Sequence, residues 1–439
     1  MTELQAKRGS DGERPIVEEA EACALASATA RPVGRVTGFI NRQKRNYRVA
    51  VTRSAVNEFL FNLTAPYDSI YTVALGAGSV ELGTVNSIGN GVAALIAVPV
   101  GWLVDRYGFK RFFVLGTGLL AAAALIYAAA SSWHAIVGAT MLYTIAVRLT
   151  GTGCSVISID SVANEDRVTA QNVCAAFRSV LSMLAPLLAA PVVTAFGGMT
   201  LEGIRPLYTM RFVGYALVFL LVATQLRDIR GTSAAGATPG LASGLRQLFE
   251  GRSPLRRWVV ISSITSLPLA TTLPFLQVFA HEVKGADQYL LGAMATATIV
   301  TRLVFGIPLG RLADRIGRKK VIYLLTPVWY ASHLLLIFSS SPLTLILAGA
   351  LWTFYYIDSG ITGAMALELV PVEEMGKWSG LQALFRGMVT IPGPILAGLI
   401  WEKLGPSYVF LVPLAVDLSI RIPLLTSVPE TLHMAQSDR

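Results

Sequence analysis

Five charged side chains that interrupt apolar stretches, Arg148, Arg178, Arg302, Asp358 and Arg386, are the groups in this sequence best placed to do chemistry. A charge near the centre of a bilayer costs several kcal/mol, so each needs a partner, an aqueous cavity or a place near the interface. A carboxylate in such a setting favours its neutral form when desolvated and its ionised form beside an arginine. A conformational change that exchanges those two conditions loads and releases a proton. Arg148 and Arg302 suit an organic anion, whereas aromatic neighbours such as Tyr355 and Tyr356 suit an amphipathic compound.

Other chemistries find less support. His134, His281, His333 and His433 are scattered without metal-ligand spacing, and Cys23, Cys154 and Cys174 form neither a metal pattern nor an expected disulfide. There is no phosphate-binding G-x-x-x-x-G-K-[ST] loop. The sequence therefore predicts no enzyme, no cofactor and no metal.

The elements that carry these residues follow from composition. The chain has 439 residues, of which 53% are hydrophobic and 14% charged, whereas a soluble domain carries about a quarter charged residues. Apolar runs of roughly 20 residues, the length that spans a bilayer, recur along the chain. The spacing predicts helices over about 54–76, 84–105, 111–131, 134–156, 169–197 and 207–226, then 256–280, 287–312, 319–340, 342–366, 377–402 and 406–426. The expected fold is an all-α integral membrane protein of about twelve transmembrane helices in two six-helix halves related by a pseudo-twofold. Its expected parts are a cytoplasmic tail at 1–53, a first half at 54–226, a linker at 227–255, a second half at 256–427 and a second tail at 428–439.

The net charge of +9 is spread in short clusters between apolar runs, at 42–53, 105–111 and 311–320 and in the linker. Nucleic-acid binding needs a basic face, so this distribution points instead to cytoplasmic loops beside anionic lipid. Both termini are expected in the cytoplasm of a plasma-membrane protein, and a monomer is expected.

Two segments repeat. Residues 101–111, GWLVDRYGFKR, match residues 310–320, GRLADRIGRKK, at an offset of about 209 residues. Phe177, Arg178 and Pro186 match Phe385, Arg386 and Pro394 at nearly the same offset, and Asp160, Glu165 and Asp166 answer Glu368, Glu373 and Glu374. That symmetry assigns Arg178 and Arg386 one structural role near the cytoplasmic side. Arg148, Arg302 and Asp358 have no charged counterpart at the offset, so no structural symmetry demands them.

The doubled G-x-L-x-D-R-x-G-x-K/R-K/R loop resembles the signature of the major facilitator superfamily, and the resemblance covers about residues 54–430. It implies secondary active transport by alternating access. Gly101, Asp105, Arg106, Gly108, Gly310, Asp314, Arg315 and Gly317 would then be conformational-switch residues. It also implies that the first, fourth, seventh and tenth helices line a central cavity. Asp358, Arg148, Arg302, Glu58, Asp68 and Asn62 become proton or substrate candidates, with Arg148 or Arg302 as the partner of Asp358, and Asn57 lies beside them. RLTGTG at 148–153 is similar to a helix-four pattern of proton-coupled members with its glycines displaced. Ala185-Pro186 stands where drug–proton antiporters carry glycine and proline, and VPETLH is similar to the tail of sugar porters.

The expected function is proton-coupled transport of a small solute, with efflux of amphipathic compounds as the leading class. Uptake or exchange of organic anions or sugars is the alternative, and a transporter-like nutrient sensor is the alternative of another class. Protons and the lipid bilayer are the expected partners, and nucleic acid is not.

Overall fold

The computed structural model describes residues 44–107, 109–151, 157, 161–162, 166–227, 254–368, 375–428 and 430. Gly108, Cys23, Cys154, Asp160, Glu165, Glu373, Glu374 and most of the tails and linker lie outside them. The side chains of Gly101, Asp105 and Arg106 are likewise outside the description.

Every described element is helical. The first set comprises α1 (Arg45–Thr64), α2 (Asp68–Ala74), α3 (Ser79–Tyr107), α4 (Phe109–Ala129), α5 (Trp133–Thr150), α6 (Arg167–Ala195) and α7 (Leu201–Gln225). The second set begins with α8 (Pro254–Thr265), α9 (Leu267–Thr271) and α10 (Leu273–Val278), which run into a π-helical turn at Phe279–Val283. It continues with α11 (Gln288–Ile316), α12 (Arg318–Phe338), α13 (Pro342–Glu368), α14 (Met375–Thr390), α15 (Gly393–Lys403) and α16 (Tyr408–Val416). A π-helical turn at Asp417–Arg421 then leads into α17 (Ile422–Thr426). Helices occur at every interval that hydropathy marks. Among the described residues, eight stretches are long and apolar enough to cross a membrane.

The main departure from expectation is at the start. Helix α1 begins at Arg45, inside the stretch expected to be a tail, and Arg53 is buried with its guanidinium 4.6 Å from the centre of the Phe113 ring. A guanidinium on an aromatic face keeps favourable electrostatics without water, which lets the helix extend through a basic sequence. Local signals fix other ends. Thr200 accepts from the Gly203 amide at 3.1 Å and Asp287 from the Leu290 amide at 2.8 Å, so each caps a helix amino terminus. Gly317 ends α11 at φ +108°, a conformation few other residues adopt. The amides of Arg318 and Lys319 that follow are both held at 3.1 Å by the carboxylate of Glu430, in the Pro-Glu-Thr tail segment.

The two sets meet at the end of the molecule away from the doubled loop. There one continuous apolar core draws Tyr67, Tyr71, Ala189 and Tyr208 from the first set and Phe275, Phe279, Leu291 and Phe410 from the second. A Cβ on Gly83 would lie 2.2 Å from the Pro394 carbonyl oxygen, and one on Gly398 would lie 2.4 Å from that of Ser79. Helices α3 and α15 therefore touch backbone to backbone, as small residues allow inside a membrane. Tyr67 Oη donates to the Gln288 carbonyl at 3.1 Å, and Gln288 Nε2 donates to Thr194 Oγ1 at 2.8 Å. Toward the doubled loop the described core divides into separate clusters, each built from one set alone.

Candidate functional site

Because the sets join at one end and part toward the other, they enclose a cavity of about 800 Å³ between them. That volume falls within the range of roughly 300–1,000 Å³ typical of small-molecule sites. Its walls come from α1, α2, α3 and α5 of the first set and from α8 through α11, α13, α14 and α15 of the second. The expected first, fourth, seventh and tenth helices all contribute. The fourth supplies only Arg148 among the described lining residues, while the second and eleventh add Asn90, Gly387 and Thr390. Asn90 Nδ2 donates to the Thr390 carbonyl at 2.6 Å, a polar link between the sets on the cavity wall.

Asn62, Asp68 and Arg148 line the cavity. Arg302 is exposed beside it, its guanidinium 5.3 Å from the centre of the Tyr356 ring, and Tyr356 is itself a lining residue. Glu58 is not in the lining. Its carboxylate pairs with Arg178 across α1 and α6 at 3.2 Å, and both side chains are partly exposed. Arg386 lines the cavity and makes no ion pair with a described carboxylate. Arg178 and Arg386, given one role by symmetry, therefore do not share a kind of partner. The repeat offset carries Glu58 onto a position near Ser266, so Arg386 has no equivalent acid to meet.

Asp358 requires a correction. It was expected on the route with Arg148 or Arg302 as partner, but it is 1% exposed and pairs with Arg421 NH1 at 2.9 Å. The reason is helical geometry: the cavity face of α13 runs from Tyr356 through Ser359 to Tyr355 and Thr362, and Asp358 lies about 40° beyond Thr362, just past its edge. Arg421 also donates through Nε to Asp417 Oδ1, through NH2 to Asp417 Oδ2 at 3.2 Å and to Thr326 Oγ1 at 3.1 Å. Tyr330 Oη donates to Asp417 Oδ2 at 2.5 Å.

A related cluster occupies the first set. Tyr208 Oη donates to Asp68 Oδ1 at 2.6 Å, Arg211 NH1 lies 3.9 Å from the same oxygen, and it donates to Thr64 Oγ1 at 2.7 Å. Sequence reasoning missed Arg211, Arg421 and Asp417. Yet Arg211 and Arg421 stand almost at the repeat offset, and the search that paired Arg178 with Arg386 finds them. The cysteine expectation also needs correcting, since Cys174 is disulfide-bonded, with a partner outside the described residues.

In the doubled loop, Asp314 is exposed and reaches only Arg318 of the next helix, at 3.6 Å, while Arg315 is exposed and Gly310 has open space around it.

A family model described as Major Facilitator Superfamily matches residues 51–301 and 258–420. The chain belongs to the major facilitator superfamily. Eight of its described helical stretches are long and apolar enough to cross a membrane. Among curated proteins it is 26% identical over 155 residues to the tetracycline resistance protein, class B, of Escherichia coli, covering 33% of this chain and 36% of that one. It is 28% identical over 167 residues to the inner membrane transport protein YajR of Escherichia coli K12, covering 32% and 36%. It is 25% identical over 191 residues to an uncharacterized MFS-type transporter of Mycobacterium tuberculosis, covering 40% and 26%. In each, the chain spans less than half of the relative's length.

Solved structures share the fold over most of the chain. A mutant of the nucleoside transporter NupG superposes with a TM-score of 0.72 at 16% identity, covering 87% of this chain and 99% of that one. A bacterial homolog of the human lysosomal transporter Spinster, crystallised inward-facing and unoccupied, gives a TM-score of 0.60 at 12% identity, covering 87% and 94%.

Proposed function

We propose that this superfamily member is a secondary active transporter that takes a small organic anion with an apolar or aromatic body between Arg148 and Arg386. The observation that carries the reading is that these two arginines, one from each set, line the cavity without a described carboxylate partner. The carboxylate that shares the lining, Asp68, is already engaged by Tyr208 and Arg211. Lining residues such as Phe61, Trp352, Tyr355 and Tyr356 supply faces for an aromatic body. A purely cationic drug would meet two like charges. A sugar would leave both arginines without a counter-charge.

Alternating access between two six-helix halves, 54–226 and 256–427, within a bundle of twelve spans, fits the sealed end and the parted end. The positive-inside rule puts the doubled loop, and so the open end, in the cytoplasm with both termini. Asp105, Arg106, Asp314 and Arg315, with Gly101, Gly108, Gly310 and Gly317, then act when the cytoplasmic end closes. Asp314 is accordingly exposed in the open form.

The experiment is a thermal-shift panel on the purified full-length protein, using aromatic and aliphatic carboxylates, sugars and amphipathic cations. Carboxylates should raise the unfolding temperature, and Arg148→Gln or Arg386→Gln should each weaken that response at least about tenfold in concentration, the loss of one charge-assisted contact. Stabilisation by cations alone, unchanged in both variants, would sink the reading.

A further inference from the structure

The cluster on Arg421 contains one carboxylate more than it has cations. Asp358, Asp417 and Arg421 are 1%, 2% and 1% exposed, so two ionised carboxylates would leave a net negative charge buried at membrane depth. A buried charge without a counter-ion is the costly case, and taking up a proton removes it. The acceptor geometry separates the two acids. Asp417 accepts at both oxygens, from Arg421 and from Tyr330, whereas Asp358 accepts only at Oδ2, and its buried Oδ1 has no hydrogen-bond partner. The π-helical turn at Asp417–Arg421 aims both side chains at this point, a local irregularity that recurs at functional sites.

Among the described residues no second cation pairs with either carboxylate. Arg386 of α14 lies within electrostatic range of Tyr355, and the buried His333 of α12 sits about one turn past Tyr330 against Trp329 and Trp352. From α12 come Thr326, Tyr330 and, farther toward the doubled loop, Tyr323; from α13 comes Tyr355 beside Asp358. The only charged side chain described on α8 is Arg257, which donates to the Ser427 carbonyl at 3.2 Å. Helix α17 carries no titratable residue, and α16 carries only the exposed Tyr408.

We propose that the Asp358–Arg421–Asp417 cluster is a proton-binding site that holds one proton, on Asp358 Oδ1, in this conformation, and that this is the coupling proton of the transport cycle. The second half of the statement rests on the transporter reading above, while the first stands without it. Uptake joins a proton from water to the Asp358 carboxylate, and release returns it to water once the cluster is hydrated.

The test is infrared spectroscopy of the full-length protein in lipid at neutral pH, reading the carbonyl stretch of neutral carboxylic acids. Difference spectra of wild type against Asp358→Asn and against Asp417→Asn should each show loss of one such band, because the acid that remains balances Arg421 as an anion. Asp68→Asn should leave the band in place. Arg421→Gln should roughly double it, since both acids must then be neutral. If the band survives in Asp417→Asn, the proton does not depend on the charge count and the proposal fails. If neither aspartate variant changes the spectrum, the cluster holds no proton and the proposal also fails. Neither result depends on finding a substrate.

Discussion

The arginine-centred ion clusters of the two sets, one opening on the cavity at Asp68 and one fully buried, make a natural experiment in charge balance. Around Arg211 there is one carboxylate, Asp68, held by a tyrosine and backed by Thr64. Around Arg421 there are two, Asp358 and Asp417, with a tyrosine on one of them and Thr326 behind the guanidinium. Arginine, tyrosine and threonine recur in both, although only Arg211 and Arg421 stand near the repeat offset, and the extra acid is the difference. The first cluster is complete as a neutral structural tie. The second becomes neutral only with a proton, so the same architecture serves as a tie in one set and as a titratable site in the other.

The largest expected effect comes from removing each cation. Arg421→Gln strands the buried, ionised Asp417 carboxylate and should lower stability by about 3–5 kcal/mol, whereas Arg211→Gln leaves the partly exposed Asp68 facing the cavity and should cost less. Reversible unfolding of protein in mixed micelles measures this. Equal losses would blur the comparison, and a smaller loss at Arg421 would break it.

A smaller effect concerns the seal that joins the sets. In Gly83→Ala the added Cβ meets the Pro394 carbonyl carbon and oxygen, which are backbone atoms that cannot swing aside. Overpacking of this sort should cost about 1–3 kcal/mol. It should also loosen the sealed end, seen as faster reaction of a cavity-wall cysteine with an impermeant reagent added outside. Gly138→Ala, where a Cβ meets nothing within 4 Å, should leave that labelling unchanged. If both variants behave alike, the close approach is not what holds the sets together.

The smallest effect is a slope. A proton held in the folded state and lost on unfolding makes stability fall as pH rises, by about 1.4 kcal/mol per pH unit for one proton. Above about pH 5, where unfolded aspartates are ionised, wild type and Asp68→Asn should share that contribution. Asp417→Asn should lack it. A slope that disappears in Asp68→Asn instead would move the proton to the first set.

The sequence carried the fold well, because hydropathy and a doubled loop are properties of many residues at once. The helix at 45–64 was harder, since its basic start is stabilised by a ring, Phe113, that lies far along the chain. The cavity arginine Arg148 was legible as a lone charge without a counterpart. Arg386 was harder to read because it does have a counterpart, and symmetry of sequence did not extend to symmetry of partners. Asp358 was legible as unusual, but its partner was not. Whether it faces Arg148 or Arg421 depends on helix rotation and on a π-helical turn near the end of the chain, neither of which residue spacing reveals.

On this proposal the second cluster's proton, and not the first cluster's ion pair, governs which end of the protein is open. The most direct measurement is a pulsed electron spin resonance distance between labels at Arg111 and Lys320, exposed residues beside the two copies of the loop on opposite sets. Attaching the labels through introduced keto side chains leaves the native cysteines intact. In wild type the distance distribution should shift between long and short populations as pH is varied, and Asp68→Asn should keep that response. Asp417→Asn should hold one distribution at every pH. A pH response that persists unchanged in Asp417→Asn, or one that vanishes only in Asp68→Asn, would contradict the account.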